Sequence, residues 1–128
     1  IKKLISKSTP ELEKIFFGIF NKNENIVFNY NKGITNQNDV YAFFFISKQY
    51  CSMVINNENE KDFEQAVPRY LFKEKPFLLD FFRRFNAKKK LELIRLLSKT
   101  ERVMRLNNNL AIIVGLRFFL SLKKIVIS

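Results

Sequence analysis

The sequence predicts an all-α fold, a compact bundle of five to seven helices. Three observations lead there. Apolar residues make up 47% of the 128 residues, too many for a disordered chain and enough for one domain with a real core. They recur at helical spacing over long segments. Asparagine supplies the punctuation that glycine and proline usually supply: there are only three of each of those, whereas asparagines cluster at 21–25, 29–31, 36–38, 56–59 and 107–109. Asn tolerates left-handed backbone and competes with helical hydrogen bonds, so it marks caps and turns.

The first helix is expected to start at Thr9-Pro10-Glu11. Thr9 serves as cap, and Pro10 suits the first turn because its missing N–H is not needed there. Leu12, Ile15, Phe16 and Ile19 give its apolar stripe. A short helix over Glu24–Lys32, ending at Gly33, carries Ile26, Val27 and Tyr30. A third begins after Asn36, with Asp39 completing a capping box, and runs to Ile55. Tyr41–Ile46 also fits a buried strand, but the segment's length and its cap favour helix. After a polar link at Asn56–Lys61, residues 62–67 make one or two helical turns, closed by Pro68. Pro76 opens a helix over Phe77–Phe85. Asn86 caps Ala87–Leu106, where Leu93, Leu96, Leu97, Thr100 and Met104 share a side. The last helix, Leu110–Ile125, is apolar nearly all round, so it is expected to be the central and most buried one.

Net charge is +11, which points to a polyanionic partner. Abundant Phe, Ile, Lys and Asn resemble an AT-rich codon bias, and that weakens the inference. The one cysteine, Cys51, allows no internal disulfide and fits a reducing, cytoplasmic setting. Among Tyr50, Met53 and Val54 it reads as a small buried hydrophobe. Residues 1–7 are basic and apolar but too short for a signal sequence. Leu110–Leu122 is interrupted by Arg117 and falls short of a membrane span. The chain begins at Ile1, and a piece of a longer protein is expected.

No catalytic or cofactor motif is visible. Gly18, Gly33 and Gly115 do not form a phosphate loop. With no histidine and one cysteine, the usual metal ligands are missing. The carboxylate pairs Glu11/Glu13 and Glu58/Glu60 read as solvated surface. Glu101 and Arg105, at i and i+4, read as a helix-surface ion pair. The densest basic stretch comprises Arg69, Lys73, Lys75, Arg83 and Arg84, followed by Lys88, Lys89 and Lys90. Tyr70, Phe72, Phe81 and Phe82 interleave with it. Phosphate contacts and base stacking on such a set would bind single-stranded nucleic acid without sequence preference. The plainer reading is a solvated charged face above core aromatics.

One order of motifs resembles a known family. Pro68 is followed by Leu71-Phe72-Lys73, then Pro76-Phe77-Leu78 with Phe82-Arg83-Arg84, then a long helix with Glu101 and Arg105 four apart, then an apolar helix. This resembles the C-terminal collar domain of the delta subunit of the bacterial DNA polymerase III clamp loader. Arg105 stands where Lys is more usual, and Asn107–Asn109 where a Gly-containing turn is common. The resemblance implies a helical collar over residues 37–128, preceded by linker helices within 1–36. It implies a non-catalytic role in DNA replication, holding loader subunits of the gamma/tau and delta-prime types together. Polymerase activity would belong to the whole complex. The family's clamp-binding element lies in an earlier domain, so this chain is not expected to open a clamp. Leu78, Phe81, Phe82, Phe85, Leu91, Ile94 and Phe118 are the candidates for the subunit interface. No cofactor and no membrane is implied. The isolated domain is expected to self-associate through uncovered apolar surface. Direct nucleic-acid binding remains the alternative, distinguished by its steep salt dependence.

Overall fold

Side-chain caps set where five of the helices begin in the computed structural model, which describes residues 8–20 and 24–127. The elements are α1 (Thr9–Phe17), α2 (Ile26–Gly33), α3 (Gln37–Asn56), α4 (Glu60–Ala66), α5 (Lys75–Arg83), α6 (Ala87–Leu106) and α7 (Ala111–Ile127). Short 3-10 segments cover Gly18–Phe20, Arg69–Glu74 and Asn108–Leu110. Among the described residues there is no strand, so Tyr41–Ile46 is helical. The asparagine punctuation at 21–23 and the reading of residues 1–7 lie outside the described residues.

Four asparagines cap four helices by one mechanism. The Oδ1 atoms of Asn25, Asn36, Asn59 and Asn86 accept from the backbone N–H three residues on, at 3.1, 2.9, 2.9 and 2.8 Å. Each satisfies an N–H that the helix leaves without a partner. All four cap residues have extended backbone. No described residue has a positive φ, so capping, not left-handed turning, is what asparagine does here. At α1 the cap is Ser8, not Thr9. At α3 the Asp39 carboxylate accepts from the Thr35 N–H and hydroxyl at 3.2 and 3.3 Å. Gly33 ends α2 without a left-handed turn. A β-carbon there would collide with Cδ1 of Ile15, so its role is the close approach of α1 to α2.

The central helix is α3, not α7. Its faces meet four others: Phe16 of α1 stacks on Tyr50 at 5.1 Å, Tyr30 of α2 meets Phe43 edge-on at 5.7 Å, and Phe119 and Phe118 of α7 meet Phe43 and Phe44 at 5.0 and 5.1 Å. Lys48 reaches Glu101 of α6. Phe63 and Phe82 stack at 4.7 Å and join α4 to α5. Edge-to-face and offset geometry favours each pair beyond its buried area. The buried side chains form one contiguous cluster that includes Phe16 and Tyr30. The linker helices expected before residue 37 are therefore part of the same core.

Only one side of α7 is covered. Ala111, Gly115, Phe118, Phe119, Leu122 and Val126 are buried, while Ile113, Leu120 and Ile127 are 58, 42 and 52% exposed. The core had room for one face of this helix, and the apolar residues on the other stayed outside.

Candidate functional site

α6 and α7 form an antiparallel hairpin across the turn at Asn107–Leu110, and its outer face is the strongest candidate site. Its α7 half is a stripe at helical spacing: Ile113, Arg117, Leu120, Lys124, Ile127, all exposed. Between the helices runs a groove of about 220 Å³. Leu96, Val103, Val114 and Phe118 give it an apolar floor, and Thr100 and Ser121 add hydroxyls. Lys99 and Arg117 stand on opposite banks. Each helix contributes positions i, i+3, i+4 and i+7, so the groove is about 10 Å long. Residues 87–128 hold ten Lys and Arg against two acids, Glu92 and Glu101. Glu101 is already engaged: the Lys48 ammonium donates to its carboxylate at 2.9 and 3.0 Å. That hydrogen bonding, followed by the ammonium charge, holds the Glu101 carboxyl below its ordinary range. The expected Glu101–Arg105 pair thus gives way to a link between α3 and α6.

The expected interface residues divide by burial. Leu78, Phe81, Phe82, Phe85 and Phe118 lie in the core; of these, Phe118 also contributes to the floor of the α6–α7 groove. Phe81 meets Phe16, Phe20 and Phe85 at 5.8, 5.5 and 5.1 Å. Leu91 and Ile94 remain outside, 47 and 41% exposed on α6.

Much of the expected nucleic-acid set is engaged in contacts within the chain. Lys75 pairs with Glu64 at 2.8 Å and lies over Phe72. Arg83 pairs with Glu60. Arg84 pairs with Asp80 at 2.9 Å and donates to the Val126 carbonyl at 3.3 Å. Lys90 donates to the Asn57 carbonyl at 3.0 Å and lies over the Phe82 ring. Lys89 is half-buried, and Arg69, Lys73 and Lys88 are exposed. Of the interleaved aromatics, Phe81 and Phe82 are core, and only Tyr70 and Phe72 face outward.

Glu13 is buried, although its place in the first helix reads as solvated surface. Its carboxylate accepts from the hydroxyl of Tyr50, and from that of Tyr70 at 3.5 Å. It pins α1 and the Arg69–Glu74 segment to α3. Burial, then the Glu13 hydrogen bond, push the Tyr50 phenol well above its usual value, and burial does the same to Tyr30. Above about pH 10 an unfolded tyrosine ionises while these two keep their protons. The native state then binds more protons than the unfolded one, so stability is full below that pH and falls as pH rises. Urea midpoints measured across that range should decline on the alkaline side, and less steeply in Tyr50→Phe. Cys51 is fully enclosed, and burial pushes its thiol up, as suits an inert hydrophobe.

A hollow of about 640 Å³ lies beside Phe45, Met53 and Pro68. Lys48 is its one cation, and that is held by Glu101. Among the described residues no cluster of His, Cys, Asp and Glu is able to hold a metal ion, and no helix is long and apolar enough to cross a membrane. No family model, curated protein or solved structure matches the chain.

Proposed function

We propose that this chain is a non-catalytic docking module that holds clamp-loader subunits together in DNA replication, as the collar it resembles would. The observation that carries the reading is the uncovered stripe of Ile113, Leu120 and Ile127 on a helix whose other side is core. The order of Pro68, Leu71-Phe72-Lys73, Pro76-Phe77-Leu78 and the two last helices supports the collar assignment. A 17-residue helix is about 25 Å long, and two helices side by side offer on the order of 500 Å². A stable interface takes about 800 Å² per partner, so the hairpin alone gives a weak contact that a multi-subunit ring reinforces.

Burying one Leu or Ile contributes about 1.5–3 kcal/mol, equivalent to tenfold or more in affinity. Purified gamma/tau-type and delta-prime-type loader subunits from the same organism should co-elute with the chain on size exclusion. Ile113→Glu/Leu120→Glu should remove that co-elution and any self-association while leaving the helical spectrum intact. Co-elution that the double variant retains, or none with the unmodified chain, overturns the proposal.

The surplus of cations on α6 and α7 favours one competing outcome, attraction of a polyanion. Binding of single-stranded DNA that falls steeply with salt, without loader-subunit binding, would establish that alternative.

A further inference from the structure

We infer that the α6–α7 groove receives an acidic amphipathic helix of a protein partner, with apolar anchors on the groove floor and carboxylates on its two cationic banks. The inference rests on the docking reading above and deepens it by assigning the chemistry of the partner. Three features carry it. The groove is concave, so it suits a ridge of side chains better than a flat surface such as a membrane. Its floor is apolar, and its two matched i, i+3, i+4, i+7 edges suit about two turns of helix, the ordinary helix-in-groove geometry. Its banks are cationic, and among the described residues neither Lys99 nor Arg117 makes an ion pair. Lys99 and Arg117 face each other across it, and Arg95, Arg102 and Lys124 extend the positive field along both helices. Of the two acids in the hairpin, Glu101 is turned away toward Lys48 of α3, and Glu92 is not among the residues that line the groove.

Opposite charge on the incoming segment is therefore what the groove selects. A basic segment meets like charge at each bank, and a neutral one leaves two cations partly desolvated without partners. Such complementarity acts mainly on association rate and on choice of partner. The contact is then expected to weaken with salt more than a purely apolar interface does.

The test uses two synthetic amphipathic peptides of about 16 residues, long enough to hold helix. Both carry leucines at i, i+4 and i+7; one has glutamates on the flanks and the other lysines. The acidic peptide should bind the chain and shift the backbone amide resonances of Lys99, Thr100, Arg117 and Ser121. Lys99→Glu/Arg117→Glu should weaken it at least tenfold and improve binding of the lysine peptide. Both positions are exposed, and circular dichroism verifies that the variant folds. Equal binding of the two peptides, or amide shifts confined to another face, overturns the inference. So does retention on phosphatidylserine vesicles in place of peptide binding. The docking reading fails separately. If loader subunits co-elute in a manner abolished by Ile113→Glu/Leu120→Glu but untouched by Lys99→Glu/Arg117→Glu, only the acidic-partner inference falls.

Discussion

Replacing Phe81 with alanine is expected to lower the unfolding free energy by about 3–5 kcal/mol, the usual loss for a fully enclosed phenylalanine. A domain of this size is stable by only about 5–15 kcal/mol, so the loss is a large share of the whole. Three aromatic neighbours lie within 6 Å of its ring. They belong to α1, the Gly18–Phe20 segment and the link between α5 and α6. Removal leaves a cavity that three elements would have to close together. Urea unfolding followed by circular dichroism measures the change. The result also tests function, because Phe81 fits a subunit contact when judged from sequence. An interface residue truncated to alanine would weaken assembly and leave the isolated chain as stable as before. A loss below about 1 kcal/mol would mean that the core does not enclose this ring.

Gly115→Ala is expected to destabilise the fold by about 1–3 kcal/mol, against the usual direction for a helical glycine. In an exposed helix, alanine gains up to about 1 kcal/mol over glycine. Here the added methyl meets Cγ1 of Val40 at 2.8 Å and collides with the hydroxyl of Tyr30. Neither neighbour has space to move. Both are fully buried, the Tyr30 hydroxyl donates to the Ile112 carbonyl at 2.8 Å, and its ring lies against Phe43 and Phe119. Overpacking therefore outweighs propensity. A double-mutant cycle isolates the cause. Tyr30→Phe removes the colliding oxygen, so the combined variant should lose less than the sum of the two single changes. Strict additivity would count against this account. Because Gly115 fixes how closely α7 approaches α2 and α3, the substitution should also weaken docking through α7's outer face.

The helix starts were legible because capping is local. Asn36 and Asn86 bond to N–H groups three residues away, and such a signal lies entirely within a few positions of sequence. The break at Asn107–Asn109 and the extended backbone at Val67 before Pro68 were legible for the same reason. The exposed face of α7 was not. Ile113, Leu120 and Ile127 share a helical stripe, but the opposite stripe is apolar too, and periodicity cannot choose between two apolar faces. α5 misled for a related reason: Leu78, Phe81 and Phe82 read as surface as readily as core. The contacts of the basic set were not legible for a different reason. Arg83 and Arg84 are neighbours in sequence, yet one turns to Glu60 of α4 and the other to Asp80 and the end of α7. Glu13 was missed because its partners, Tyr50 and Tyr70, are 37 and 57 residues away.

The sequence by itself determined that this chain is helical, where most of its helices begin, and that it carries more apolar side chains and cations than acids to match them. Only the tertiary structure decided which of those side chains are left over. Caps and turns are settled by bonds within one turn of backbone, whereas burial is a competition among distant helices for a limited interior. α3 took the centre, α7 was covered on one side only, and the excluded residues of the last two helices became a face where apolar surface and unpaired positive charge coincide.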